Sequence, residues 1–231
     1  EGAIDGKEGL VHTFGPEWKL DVLREGLGRD WRILECGMKF FPSEALTHTP
    51  ISATLQLISE NDLSPEQIHK VEIRTTARGA DILSDRSKYD PNTRETADHS
   101  LPYCIAAAII DRQVTPLQFS MEKIRDPRIR AQLTKIKVTS DPAIEALFPE
   151  RQRAAVAITL NDGRRISTSL DYPKGHARNP LSDEEIEAKF RALADTSMSE
   201  PSQRKLIDAI WNLESARSVR DLLKLTWPYA I

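Results

Sequence analysis

Cysteine is scarce in this chain, which holds Cys36 and Cys104 alone among 231 residues. Neither belongs to a CxxC pair or a Cys/His cluster at metal spacing, which argues against structural zinc or an iron–sulfur cluster. Two lone thiols read as buried residues of a reducing compartment. Long apolar runs are also missing. None approaches the ~20 residues of a membrane-crossing helix, and no signal-peptide-like stretch precedes the first motif. Basic runs are missing too: 32 Lys and Arg are scattered among 35 Asp and Glu, for a net charge of −3. Without a basic patch interleaved with aromatics, nucleic acid is excluded as the expected partner. There is no internal repeat or low-complexity segment. These absences predict a soluble cytoplasmic protein, or a mitochondrial-matrix one in a eukaryote, with no membrane and no bound metal.

What remains is enough for one real core. Hydrophobic residues make up 39% and charged residues 29%, as in an ordinary globular domain with a helical appendage. Helical spacing at Trp18–Arg24 is stopped by Gly26 and Gly28, and Ile33–Phe41 alternates as a strand ended by Pro42. Pro50–Glu60 reads as a helix, Ser64–Gln67 as a capping box opening one turn, and His69–Thr75 as a half-buried strand. Residues 76–97 read as a long polar loop. Short helices are expected at Thr115 and Asp126, and a strand at Ile136–Val138. Asn161-Asp162-Gly163 between Ala155–Leu160 and Arg165–Leu170 predicts a hairpin. Helices close the chain after Ser182, over Pro201–Leu213 and over Val219–Leu225. Strands interleaved with helices predict an α+β fold: a small mixed or antiparallel sheet with packed helices and a C-terminal helical tail. The expected divisions are a linker with a short helix at 1–31, the α+β domain at 32–180 and the helical segment at 181–231.

Chemistry concentrates in Arg94-Glu-Thr-Ala-Asp-His-Ser-Leu-Pro-Tyr103, which empties into the small-residue apolar helix Cys104–Ile110. Asp98 is placed to cap that helix, and His99 and Tyr103 then fall four apart on one face. They are either proton-transfer groups or satisfied polar residues at a buried helix end. Lys39 lies near the end of an apolar strand and either snorkels to solvent or reaches into a cleft. His48 stands at a helix start, either as an exposed neighbour of the cap or as a neutral donor to a carboxylate. Lys174, His176 and Arg178 share a Pro/Gly-bracketed loop that suits a polycarboxylate or the capping of a helix C-terminus. His12 and His69 read as surface residues.

Arg94–Tyr103 and a second block, Tyr172-Pro-Lys-Gly-His-Ala-Arg-Asn-Pro-Leu-Ser-Asp-Glu-Glu185, resemble the two recurrent runs of the MmgE/PrpD family, in the family's order. That family includes 2-methylcitrate dehydratases and cis-aconitate decarboxylases. The resemblance covers essentially the whole chain but only the C-terminal part of the family, and the preceding large all-helical domain has no counterpart. The opening Glu1-Gly2-Ala3-Ile4 lacks Met and falls in a Gly-rich loop that follows that domain in the family. The chain therefore reads as a truncated, proteolysed or naturally split product, incomplete without a missing helical domain or chain. What the resemblance implies is a cofactor-independent lyase, a homodimer, that dehydrates 2-methylcitrate or a related hydroxy tricarboxylate. Lys39, His99 and Tyr103 would be catalytic. His48, Lys174, His176 and Arg178 would bind substrate, and Asp98 would orient His99 if it is not a cap. The decarboxylase branch has Arg in place of Phe40 and His in place of Glu44, whereas Phe41-Pro42-Ser43-Glu44 is closer to the dehydratase branch. Decarboxylation of cis-aconitate and a non-catalytic interaction fragment remain the rival expectations.

Overall fold

The computed structural model describes every residue except 1, 5, 8, 16, 17 and 227–231. The chain forms two compact units, Glu1–Cys36 and Gly37–Ile231. The first contains one short helix, α1 (Leu10–Phe14), and 3-10 turns at Leu20–Leu23 and Arg32–Glu35. Arg32–Glu35 lies where alternation predicts a strand, and the expected Trp18–Arg24 helix is no more than a turn. Phe14, Leu27, Trp31, Ile33 and Leu34 stand exposed, since a segment this short cannot enclose a core. Cys36 is exposed as well, contrary to the buried thiol expected, whereas Cys104 is buried.

The second unit is α+β, as expected. In chain order it contains α2 (His48–Glu60), β1 (Ile68–Thr75), α3 (Ala77–Leu83), α4 (Arg94–Asp98), α5 (Leu101–Asp111), α6 (Met121–Ile124) and α7 (Pro127–Leu133). There follow β2 (Ile136–Ser140), α8 (Pro142–Glu145), β3 (Ala154–Leu160), β4 (Arg165–Leu170), α9 (Asp183–Ala194), α10 (Glu200–Trp211) and α11 (Val219–Leu225). The sheet is mixed, in the order β2-β1-β3-β4. β1 runs parallel to β2, with Val71 opposite Ile136, and antiparallel to β3, with Ile73 opposite Val156. The Asn161–Gly163 turn closes the β3–β4 hairpin, with Ile158 opposite Ile166. Residues 76–97 are more than a loop. Thr76 caps α3 by accepting from Gly79 N, and Thr93 caps α4 by accepting from Thr96 N.

Period-2 alternation sends Val71, Ile73, Val156, Ile158 and Leu160 to one buried face of the sheet, on which α2 packs over β3 and β4 and α5 over β2. Lys70, Glu72 and Arg74 leave by the other face, as strand geometry requires. α5 is the central post. Each residue from Leu101 to Ile109 is buried, and Ala106, Ala107 and Ala108 let neighbouring helices approach closely. Fully burying a side chain such as Ile105 contributes roughly 1.5–3 kcal/mol. The helix starts at Ser100, whose hydroxyl accepts from Tyr103 N at 3.1 Å. It stops at Arg112, at φ +55°, whose guanidinium donates to Leu63 O at 2.9 Å. Among the C-terminal helices, α10 buries Leu206 and Ile207 but leaves Ile210 and Trp211 half exposed.

Candidate active site

The turn from Lys39 to His48 brings two side chains, Lys39 and His48, to one main-chain atom. Pro42 ends the extended approach, and the Glu44 carboxylate then caps a 3-10 turn by accepting from Leu46 N at 2.6 Å. Thr47 Oγ1 donates to Glu44 O at 2.7 Å and lies 2.8 Å from Ser43 Oγ. Packed this way, the turn aims the Ser43 carbonyl inward, where it accepts from Lys39 Nζ at 2.9 Å and faces His48 Nε2 at 3.3 Å. A bond to a carbonyl requires the proton on Nε2, which fixes the tautomer.

His48 is buried, with its ring edge-on to Phe41 at 5.4 Å. The sequence left it open between an exposed neighbour and a neutral donor; it is neutral and enclosed. Burial is the main cause that brings its pKa down to about 4, against the opposing pull of the Ser43 carbonyl, and the Lys39 and Lys189 ammonium groups lower it further. Lys39 is set on an irregular extended segment rather than on a strand.

The α4–α5 junction differs from the expectation. Asp98 does not cap α5, since Ser100 does, and His99 and Tyr103 do not share a helical face, since His99 is the C-cap of α4. Tyr103 is fully buried, and its hydroxyl donates to Gln118 O at 2.5 Å. Burial, with the neighbouring Cys104 and Asp111, raises its pKa. Asp98 instead meets its own neighbour: His99 Nδ1 lies 2.5 Å from Asp98 Oδ1 and 3.2 Å from Glu95 O. Both partners accept, so Nδ1 holds a proton, and Nε2, on a half-exposed ring, has no hydrogen-bond partner among the described residues. This pair adjoins the Lys39–His48 turn, because Glu44 N donates to Asp98 O at 3.1 Å.

The loop from Tyr172 to Asn179 is brought to the same turn by its main chain. Gly175 O accepts from Met38 N at 2.7 Å. Gly175 has φ +89°, and a Cβ there would stand 2.0 Å from Met38 O, so only glycine fits. Its side chains are already engaged. Lys174 Nζ pairs with Glu185 at 2.7 Å and keeps that carboxyl below its usual range. His176 stacks on Tyr172 at 4.6 Å, and Arg178 donates to the Tyr172 hydroxyl at 2.6 Å. Burial, then the Arg178 charge, lowers the His176 pKa.

A cleft of about 450 Å³ opens beside Lys39. Phe40, Phe41, Leu55 and Val114 form its apolar walls, and Lys39, Glu185 and Lys189 bring charge to it. Lys189 was missed at the sequence level, where a lysine on an amphipathic helix reads as solvated. The available signal was its i+4 spacing from Glu185 with small Ala188 and Ala192 alongside. Among the described residues no group of three or more His, Cys, Asp or Glu side chains is arranged to hold a metal ion, and no helix is long and apolar enough to cross a membrane.

A mixed α+β domain with a lysine–histidine turn beside an apolar cleft is a small-ligand domain in form. Residues 41–215 match the MmgE/PrpD C-terminal domain, and the chain belongs to the MmgE/PrpD family. It is 27% identical to the mouse cis-aconitate decarboxylase over 83% of the chain, and to 39% of that protein's length. It is 31% identical to the 2-methylcitrate dehydratase of Escherichia coli K12 over 60% of the chain and 30% of that protein. The cis-aconitate decarboxylase of Aspergillus terreus matches at 22% over 91% of the chain and 44% of its own length. The chain thus spans less than half the length of the curated relatives it matches.

Proposed function

We propose that this chain contributes one part of a lyase site that dehydrates 2-methylcitrate or a related hydroxy tricarboxylate by acid–base chemistry, without a cofactor. The observation that carries this reading is the main-chain bond from Glu44 N to Asp98 O, which ties the turn holding the Lys39 ammonium to the Asp98-oriented His99. A proton next to a carboxylate is a poor acid, so its removal needs a base matched by a cation that stabilises the developing aci-carboxylate. His99 Nε2 is the base and Lys39 holds the carboxylate. His48, neutral and buried, holds the turn that presents Lys39. The leaving hydroxide takes its proton from a general acid outside this chain, in the portion that the longer relatives possess. Tyr103 is left out of this reading because its hydroxyl is engaged in the core.

Decarboxylation of cis-aconitate is the second reading, favoured by the broader coverage of the decarboxylase relatives. There a carbon–carbon bond breaks, CO₂ leaves, and the carbanion accepts one proton. Parallel assays of the full-length protein on 2-methylcitrate and cis-aconitate, following water loss and CO₂ release, separate the two. Lys39→Ala and His99→Ala should each lower turnover by about 10²-fold or more. Near-normal turnover in both variants overturns the site.

A further inference from the structure

Lys189, on α9, is 150 residues from Lys39 in sequence, yet its Nζ donates to the Lys39 carbonyl. Both lysines line the same cleft. Among the described residues neither is ion-paired, whereas the other charged groups on that wall are taken. Glu185 accepts from Lys174 Nζ at 2.7 Å and from Ser182 N at 2.8 Å, and Arg112 donates to Leu63 O at 2.9 Å. Both ammonium groups also lower the His48 pKa, after the larger effect of its burial. Two ammonium groups lining one cleft with phenylalanine walls repel each other, and an anion bridging them removes that cost.

We propose that Lys189 is a second carboxylate-binding residue, and that Lys39 and Lys189 form a two-point clamp selecting polycarboxylates over monocarboxylates. This rests on the reading of Lys39 as a carboxylate-binding group. Ala188 and Ala192 leave the α9 side of the cleft open for a six- or seven-carbon acid, and the volume of about 450 Å³ lies in the range of small-ligand pockets. Two carboxylates of the ligand each take one ammonium group, and a monocarboxylate can satisfy only one of them.

The test is acylation of lysines by limiting acetic anhydride, read site by site by mass spectrometry, with citrate or propionate as the competing probe. Citrate should slow labelling of both Lys39 and Lys189 by about tenfold, and propionate should protect only one of them. Protection of Lys39 without Lys189 overturns the clamp and leaves the reading of Lys39 standing. Protection of neither lysine overturns both. Titration calorimetry adds a second arm. Lys189→Met and Lys189→Gln should weaken citrate by about tenfold or more while changing propionate by less than about twofold, and Lys189→Arg should restore citrate binding. Equal losses for both acids, with a fall in thermal midpoint, would make Lys189 only a tie between α9 and the turn and would overturn the clamp.

Discussion

The Lys39–His48 turn and the α4–α5 junction both bring polar side chains to the start of a buried helix, and they resolve them in opposite ways. At the junction each group that faces the core has a fixed partner: Ser100 caps α5, and the Tyr103 hydroxyl reaches Gln118 O. At the turn Lys39 and His48 converge on one carbonyl, and the cations exceed the carboxylates left to meet them. A polar group with a full set of partners stabilises the fold, while a charge without a counter-ion beside a cleft is available to a ligand. The lesson is that proximity to a sequence motif does not assign a role, and that the tally of partners does. His99 shows this within the junction itself, since Asp98 orients one ring nitrogen and leaves the other bare.

The contrast can be broken most forcefully at Gly175. Gly175→Val sets a side chain against Met38 O at a positive φ and should cost roughly 3–5 kcal/mol, seen as a lower denaturation midpoint. If stability is unchanged, the loop does not hold the turn. The pH dependence of stability sharpens the comparison next. The His48 pKa is brought from 6.5 down to about 4 on folding, so the unfolded chain binds a proton that the folded chain refuses between those values. This stabilisation is full above pH 6.5 and is lost as pH falls toward 4, about 3 kcal/mol in all. Urea titrations at several pH values should show that slope in the wild type, and His48→Ala should flatten it.

Tyr103→Phe probes the other region. It leaves the Gln118 carbonyl without its donor and should cost about 1–3 kcal/mol, with turnover per folded molecule unchanged in the full-length protein. A large loss of turnover at full stability would return Tyr103 to the chemistry. The smallest effect is expected at Lys174, whose pair with Glu185 is partly exposed. Lys174→Met should cost less than ~1 kcal/mol and leave citrate affinity within about threefold. A tenfold loss of citrate binding there would mean that the Glu185 pair opens for ligand.

Much of this was legible locally. Period-2 alternation located β1 and the hairpin, while Ser182 with Glu185 announced α9. Two misjudgements were local as well. Asp98 and Ser100 are both good caps two residues apart, and Ser100 takes the role by accepting from Tyr103 N, which leaves His99 at the end of α4. Residues 76–97 were too polar to reveal α3 and α4, because short helices held by Thr76 and Thr93 caps need little apolar periodicity. The family itself was readable, since long runs such as Arg94–Tyr103 survive as contiguous text.

By itself, then, the sequence determined the α+β class, most element positions and the family, because capping, periodicity and turn chemistry act over a few residues. Only the tertiary structure decided which polar groups meet. Lys189 reaches Lys39 across 150 positions, and Gly175 touches Met38 only because the loop folds back onto the turn. His48 could be read as neutral only once Phe41 and the two ammonium groups were seen around it. Contacts of that range follow from how the helices pack on the sheet, and no local pattern in the chain records them.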